Sequence, residues 1–285
     1  MNNSAKYFLL PFKFHRLGQY EILVNEIGDY LVYPPGTVEK VVHHQLQAKD
    51  EIYKDLISSF FISETPIPQL IDNYAVRLRT KKAFLNNFTA LHIFVLTLRC
   101  NQNCIYCQAS SRKEHEQGFD MTPESIFAAV DLMFRSPSPA VTMEFQGGEP
   151  SLVPELIRCA IEHAEEQNRI HEKHITYVLC TNCVNLSQGI LELCEKYNVL
   201  ISTSLDGPEF LHNYNRGKSD SYSNVIAGIN RARTRLGKER VSALMTTSEQ
   251  SLSCPKAIVD AYRENGFHRI FIRPLNPYGL AQSRD

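Results

Sequence analysis

From about residue 90 onward, short apolar and β-branched runs alternate with stretches whose apolar residues recur at helical spacing, the pattern of βα units repeated on a parallel sheet. The runs predict six strands, over residues 93–97, 140–145, 175–180, 200–204, 241–246 and 270–273. Several are apolar throughout, which predicts burial on both faces of the sheet. Five helices are expected between them. The first opens at Met121-Thr122-Pro123-Glu124, with Thr122 as N-cap, Pro123 as the first helical residue, and Ile126, Ala129, Val130 and Met133 on one face. The others are expected near 154–166, 188–197, 222–236 and 255–265, the last stopped by Gly266. Before residue 85 the pattern differs. Two short strands, 20–24 and 30–33, are joined by the turn-rich Asn25-Glu26-Ile27-Gly28-Asp29. Two amphipathic helices, 38–47 and 54–60, follow, and Thr65-Pro66-Ile67-Pro68 interrupts before a polar helix running to about Asn86. A boundary expected between 85 and 91 divides the chain into an N-terminal α+β module, 1–88, and an α/β unit, 89–285.

Composition narrows the classes of function. With 285 residues, 43% hydrophobic and 21% charged, the chain has the make-up of a globular protein with a substantial core. Lys and Arg number 30 against 31 Asp and Glu, so there is no basic excess to meet a nucleic-acid backbone. The longest apolar stretch, Leu91 to Leu98, already contains His92 and Thr97 and is far short of a membrane span. The N-terminal Tyr7-Phe8-Leu9-Leu10-Pro11-Phe12 is too short for a signal sequence and lacks a small-residue cleavage site. A cytoplasmic protein without nucleic-acid or membrane partners is the expectation.

Eight cysteines without an export signal read as thiols or metal ligands of a reducing compartment. Cys159, Cys180, Cys183, Cys194 and Cys254 are scattered, whereas Cys100, Cys104 and Cys107 stand together as Cys-Asn-Gln-Asn-Cys-Ile-Tyr-Cys, just after the first expected strand. Three thiolates on one such loop suit three irons of a 4Fe-4S cluster, because soft sulfur ligands favour Fe-S centres. The fourth iron then stays open to a substrate or cofactor. A structural zinc site completed by a distant His or Cys is the alternative.

The Cys100-x3-Cys104-x2-Cys107 spacing, with aromatic Tyr106 before the last Cys, resembles the signature of the radical S-adenosylmethionine (radical SAM) enzymes. Gln146-Gly147-Gly148-Glu149-Pro150, after the second strand, resembles their Gly-Gly-Glu-Pro motif. Physically, two glycines let a backbone approach a ligand closely, and Glu149 offers an acceptor to a cationic amine. Ser204-Leu205-Asp206-Gly207-Pro208 and Asn213-Tyr214-Asn215-Arg216 are similar to a SAM-contacting segment of anaerobic sulfatase maturases and related peptide-modifying enzymes. The resemblance implies that Ser204 touches the ribose and Arg216 the carboxylate; a guanidinium fork fits a carboxylate by shape and charge. It also implies that Leu275 and Tyr106 pack near the adenine, although either could be plain core. The implied fold is a partial (β/α)6 barrel with its site at the carboxyl ends of the strands. The implied cofactors are a 4Fe-4S cluster and SAM, cleaved to methionine and a 5′-deoxyadenosyl radical, with a one-electron reductant such as flavodoxin or ferredoxin.

Two departures stand out. Relatives commonly carry Thr-Asn-Gly where this chain has Thr181-Asn182-Cys183, and the resulting Cys180/Cys183 pair reads as two packed thiols ahead of a redox or second-metal site. The chain also stops at Asp285, right after the sixth strand, where sulfatase-maturase-type enzymes continue into a final helix and a cysteine-rich domain with auxiliary clusters. A fragment, a truncated frame or a barrel completed by a partner is therefore expected, and no catalytic side chain is assigned. The N-terminal module loosely resembles winged-helix-like modules that bind leader peptides, by a strand edge and a helical groove wall; the other reading is a cap packed on the barrel. The order of elements, Leu10-Pro11-Phe12-Lys13-Phe14 and Val24-Asn25-Glu26 look most like radical SAM maturases of the His-Xaa-Ser peptide system. The leading expectation is thus a radical SAM enzyme acting on a peptide or protein side chain. A radical SAM enzyme of small metabolites and a non-catalytic peptide-binding domain are the alternatives.

Overall fold

A computed structural model describes residues 6–87 and 89–283. The chain forms two compact units, Met1–Asn86 and Asn87–Asp285, and Phe88, within the expected boundary, lies outside the described residues. The first unit opens with β1 (Phe8–Leu9), β2 (Phe12–Leu17), β3 (Tyr20–Asn25) and β4 (Tyr30–Tyr33). Strands β2, β3 and β4 form an antiparallel sheet in that order. At the β3–β4 link, Asn25 Oδ1 accepts from the Asp29 amide at 2.9 Å while Gly28 takes a left-handed φ of 92°, which is why this turn was legible as a turn. Helices α1 (Thr37–Val42) and α2 (Glu51–Ser58) follow, then β5 (Ile62–Ser63), paired with β1, and α3 (Ile67–Lys81). Leu23, Val41, Leu56 and Phe61 are fully buried in the core of this unit.

Two expectations are corrected here. Strand β2 was not foreseen, because all but its first residue are exposed and Lys13, His15 and Arg16 interrupt any apolar run. The helix expected over 38–47 stops at Val42, where His43 caps it and His44 turns to a φ of 55°.

In the second unit β6 (Leu91–Thr97) leads into β7 (Arg99–Cys100), which pairs in parallel with β8 (Arg112–Lys113). Next come α4 (Pro123–Phe134), β9 (Ala140–Gly147), α5 (Pro154–His171), β10 (His174–Thr181), α6 (Gln188–Lys196) and β11 (Leu200–Ser204). The last segments are α7 (Glu209–Arg216), α8 (Ser221–Leu236), β12 (Val241–Thr246), the single turn α9 (Glu249–Leu252), α10 (Pro255–Glu264) and β13 (Phe271–Arg273). Six strands pair in parallel in chain order, β6-β9-β10-β11-β12-β13, so β6 and β13 are the two edges of a partial (β/α)6 barrel. Thr122 caps α4 by accepting from the Ser125 amide at 3.3 Å, with Pro123 next to it, as its sequence predicts. Gly266, at φ 70°, ends α10.

The sheet is not apolar on both faces. One face packs Met143, Phe145, Leu179, Ile201 and Met245 against the helices, whose Ile126, Val130, Ile157 and Ile161 are buried. Each such side chain contributes about 1.5–3 kcal/mol of burial. The alternate residues Glu144, Gln146, Cys180, Ser202 and Ser204 line a cavity instead, joined by Arg273, so in β9, β10 and β11 the period of two separates core from site.

Candidate functional site

The cavity, about 1000 Å³, counts Cys100, Cys104, Cys107, Tyr106, Gln146, Gly147, Gly148, Glu149, Ser204 and Arg216 in its lining. These residues follow the carboxyl ends of β6, β9 and β11, where a parallel barrel offers its loops. Ten of the eleven expected site residues therefore meet in one place. Leu275 does not: it is 45% exposed and lines a second, shallower depression with Thr247, Leu252, Ile272 and Pro274.

The cysteine loop is closed at its neck. Arg99 grips Asp120 with two hydrogen bonds, Nε to Oδ1 at 2.8 Å and Nη2 to Oδ2 at 2.7 Å, and Thr97 donates to the same carboxylate at 2.6 Å. These donors hold the Asp120 carboxyl below the usual carboxylate range, Arg99 foremost. Inside the loop, the Gln102 amide donates to Cys100 Sγ at 3.4 Å and Gln102 Nε2 to Ser221 Oγ at 2.8 Å, tying the loop to α8. Burial pushes the Cys100 thiol up to about 12, with Glu149 and the neighbouring thiols adding to it, and burial also raises Cys104. Burial of this kind favours the neutral thiols in the metal-free chain.

Among the described residues no three His, Cys, Asp or Glu side chains are placed to hold a single metal ion. A 4Fe-4S cube takes one thiolate per iron, so its sulfurs must surround a volume and not meet at a point. Three soft donors on one loop and one cavity wall fit that group.

The glycine loop lines the cavity and is also packed against the cysteine loop's neck. Gly148 and Glu149 donate their amides to Thr97 O and Arg99 O, both at 2.8 Å, and a Cβ on Gly147 or Gly148 would sit 2.0 Å from Thr97 O or 2.2 Å from Arg99 O. The glycines thus permit close contact with the strand that leads into Cys100. Glu149, expected to accept from an amine, is buried and braces the neighbouring loop: Oε1 accepts from Thr181 Oγ1 at 2.6 Å and from the Ser151 amide at 3.1 Å, and Oε2 from the Asn182 amide at 2.7 Å. Burial raises its pKa against the pull of these donors. Gln146 Nε2 donates to Glu144 Oε1.

Arg216 is the last residue of α7, stopped by Gly217 at φ 67°. Its Nε and Nη2 donate to Asp206 at 3.0 and 3.3 Å, so the edge expected to take a cofactor carboxylate is occupied by a carboxylate of the protein. Only Nη1 remains, 3.6 Å from Cys104 Sγ. Tyr106 donates to Asp206 at 2.7 Å, and the guanidinium lies over its ring at 5.3 Å. Burial alone would raise the Asp206 carboxyl, but Arg216, with His212 and Tyr106, holds it below the usual range. Asp206 is fully buried at this junction, and its sequence signal is slight: an acidic residue two positions after the Ser/Thr-rich strand β11.

Cys183 is buried at φ 58°, which explains why a glycine suits that position. Cys180 is not its packed partner; it lines the cavity and donates to Glu144 Oε1 at 3.3 Å. Burial, with Glu144 beside it, keeps this thiol protonated.

A parallel partial barrel with three cysteines on the loop after its first strand defines a cluster-binding barrel protein. The chain belongs to the radical SAM superfamily, which it matches over residues 94–260, more than half its length. That family uses a 4Fe-4S cluster and SAM. The chain is 28% identical over 148 residues to the radical SAM cyclopropyl synthase TigE of Paramaledivibacter caminithermalis, covering 47% of this chain and 31% of TigE. It is 24% identical over 191 residues to the cysteine-type anaerobic sulfatase-maturating enzyme of Clostridium perfringens, covering 62% and 50%. The solved structure of Streptococcus suis SuiB bound to precursor peptide SuiA shares the fold, with a TM-score of 0.51 and 14% identity over 95% of this chain and 64% of SuiB. The chain thus spans about a third to two thirds of the length of these proteins. Among the described residues no helix is long and apolar enough to cross a membrane.

Proposed function

We propose that this chain holds a 4Fe-4S cluster on Cys100, Cys104 and Cys107, cleaves SAM reductively beside it, and modifies a side chain of a peptide or protein. The observation that carries the reading is the convergence of the three thiols, the Gly147-Gly148 backbone and Ser204 on one cavity at the carboxyl ends of the strands. The chemistry that cluster and SAM supply when bound is one-electron cleavage to methionine and a 5′-deoxyadenosyl radical, which takes a substrate hydrogen; a flavodoxin or ferredoxin is the fitting reductant.

The protein's own task is positioning and shielding. Glu149 and the β7–β8 neck fix where the loop stands, and Tyr106 and Arg216 close one side of it. Ser204 offers a hydroxyl to a ribose, and Gly147 and Gly148 offer an approach without side chains. The peptide substrate is supported by the sulfatase-maturating relative and by the SuiB complex, whose alignment runs through the N-terminal unit as well. The resemblance to His-Xaa-Ser maturases narrows the substrate to a ribosomally made precursor peptide, with the N-terminal unit as its docking module.

Anaerobic reconstitution tests the reading. The wild-type chain should gain iron and a broad absorbance near about 400 nm. It should also release 5′-deoxyadenosine when reduced with SAM. Replacing Cys100, Cys104 and Cys107 together by Ala should abolish both; nucleoside release undiminished in that variant would sink the proposal.

A further inference from the structure

Asp206 and Arg216 form a buried ion pair, with 0% and 6% of their surfaces exposed. Such a pair is weak evidence for stability, because desolvating two charges costs about as much as their attraction returns. Its placement asks for another explanation. The pair touches the cysteine loop at three points. Tyr106, between Cys104 and Cys107, donates to both Asp206 oxygens at 2.7 Å. The Arg216 guanidinium covers the Tyr106 ring. Arg216 Nη1 donates to Cys104 Sγ at 3.6 Å. The backbone reinforces this geometry: the Ile105 amide donates to Asn215 O at 2.9 Å, and a Cβ on Gly217 would meet Asn103 O at 2.7 Å, so α7 ends directly on the loop. Asp206 is held in turn by the Thr246 amide at 3.4 Å.

We infer that Asp206 is a positioning residue whose carboxylate aims the Arg216 guanidinium at the Cys104 sulfur, and that this charged donor makes a cluster bound there easier to reduce. The inference rests on the function proposed above. A hydrogen bond to a ligating sulfur draws electron density from the cluster, and the added electron is stabilised by nearby positive charge; both raise the reduction potential. Asp206 does two things at once. It fixes the fork by taking Nε and Nη2, which leaves Nη1 as the group facing sulfur, and its charge offsets most of the guanidinium's longer-range field. What reaches the cluster is then chiefly the local N–H to sulfur bond.

Two variants separate this role from simple scaffolding. The double variant Asp206→Asn/Arg216→Met exchanges an ion pair for a neutral pair of similar volume, so it removes the donor without changing net charge. The single variant Asp206→Asn keeps one side-chain oxygen to accept from the fork, so the donor stays aimed while the cation loses its counter-charge. In EPR-monitored redox titrations of reconstituted, SAM-free protein, the double variant should be about tenfold less reduced at a given ambient potential, 59 mV for a one-electron couple. The single variant should shift in the opposite direction. Shifts of the same sign, or shifts under twofold in both at full iron content, overturn the inference. So does a folded double variant that takes up no iron, since the pair then merely builds the loop. If Asp206→Asn alone does not fold, the double variant decides: a fall supports the inference and an unchanged potential overturns it. Failure of the wild-type chain to bind iron or release 5′-deoxyadenosine would instead mark failure of the proposed function itself.

Discussion

At the scale of single residues, the site is held by backbone proximity and buried polar groups, and both can be probed. A methyl group on Gly148 meets two backbone oxygens, Arg99 O at 2.2 Å and Leu98 O at 2.6 Å, neither of which can rotate away. Gly148→Ala should therefore destabilise the second unit by about 1–3 kcal/mol, the usual cost of forcing extra volume into packed surroundings. Gly189, on the exposed side of α6 with nothing within 4 Å of its Cβ position, is the control. Gly189→Ala should be neutral or stabilising by up to about 1 kcal/mol through helix propensity. Equal urea midpoints for the two variants would refute the close-approach account.

His212 makes a second residue-scale case. It is buried; the Asp206 amide donates to its Nδ1 at 3.3 Å, and its Nε2 pairs with Ser221 Oγ at 3.1 Å, an arrangement that needs a neutral ring. Burial foremost, with Arg216 helping and Asp206 opposing, lowers its pKa to about 3. The unfolded chain titrates near the ordinary histidine value of about 6.5. Above that pH both states are neutral and the stability is complete. Below it the unfolded chain binds a proton that the folded chain refuses, so stability falls by up to about 1.4 kcal/mol per pH unit, until the folded value is reached. His212→Gln should flatten this slope between pH 6.5 and 5 in urea unfolding of the metal-free chain. An unchanged slope would assign the acid sensitivity elsewhere.

At the scale of elements, legibility followed the strength of the periodic signal. The strands Leu200–Ser204 and Val241–Thr246 match their expected ranges, β6 and β9 extend theirs by two residues at one end, and β10 by one residue at each end. Apolar alternation next to a capped helix leaves little freedom there. Helix α7 was hidden because Pro208, Asn213 and Asn215 weaken its pattern; it forms because Leu211, His212, Asn215 and Arg216 bury one side, a tertiary effect. The cysteine triad was legible from spacing alone. The duties of Glu149 and Asp206 are not legible, since each depends on partners brought in by folding: Thr181 and Asn182, 32 and 33 residues from Glu149, and Tyr106 and Thr246, 100 and 40 residues from Asp206. The cavity-facing polar residues Glu144, Cys180 and Arg273 are equally hard to place from sequence, because the expectation of strands buried on both faces leaves no room for a polar site face.

At the scale of the whole molecule, the two units have separate hydrophobic cores that share no residue. Among the described residues the smaller core has nine buried side chains, Leu23, Tyr53, Leu56 and Phe61 among them. A unit of this size buries a smaller fraction of its surface than the barrel unit and should be the less stable of the two. Leu56 is fully buried, so Leu56→Ala should cost that unit about 2–5 kcal/mol through lost burial and the cavity left behind. In denaturant, the chain should then unfold in two transitions, with the earlier one moved to lower denaturant and the later one in place. Proteolysis during the first transition should cut within residues 1–86 and spare the barrel. The proposed function separates in the same way: every residue proposed for cluster and SAM lies in the second unit, so nucleoside release without peptide should survive Leu56→Ala, while affinity for a precursor peptide should fall. A single transition that moves as a whole would show that the cores are energetically coupled. Loss of nucleoside release would place part of the radical-generating machinery in the first unit.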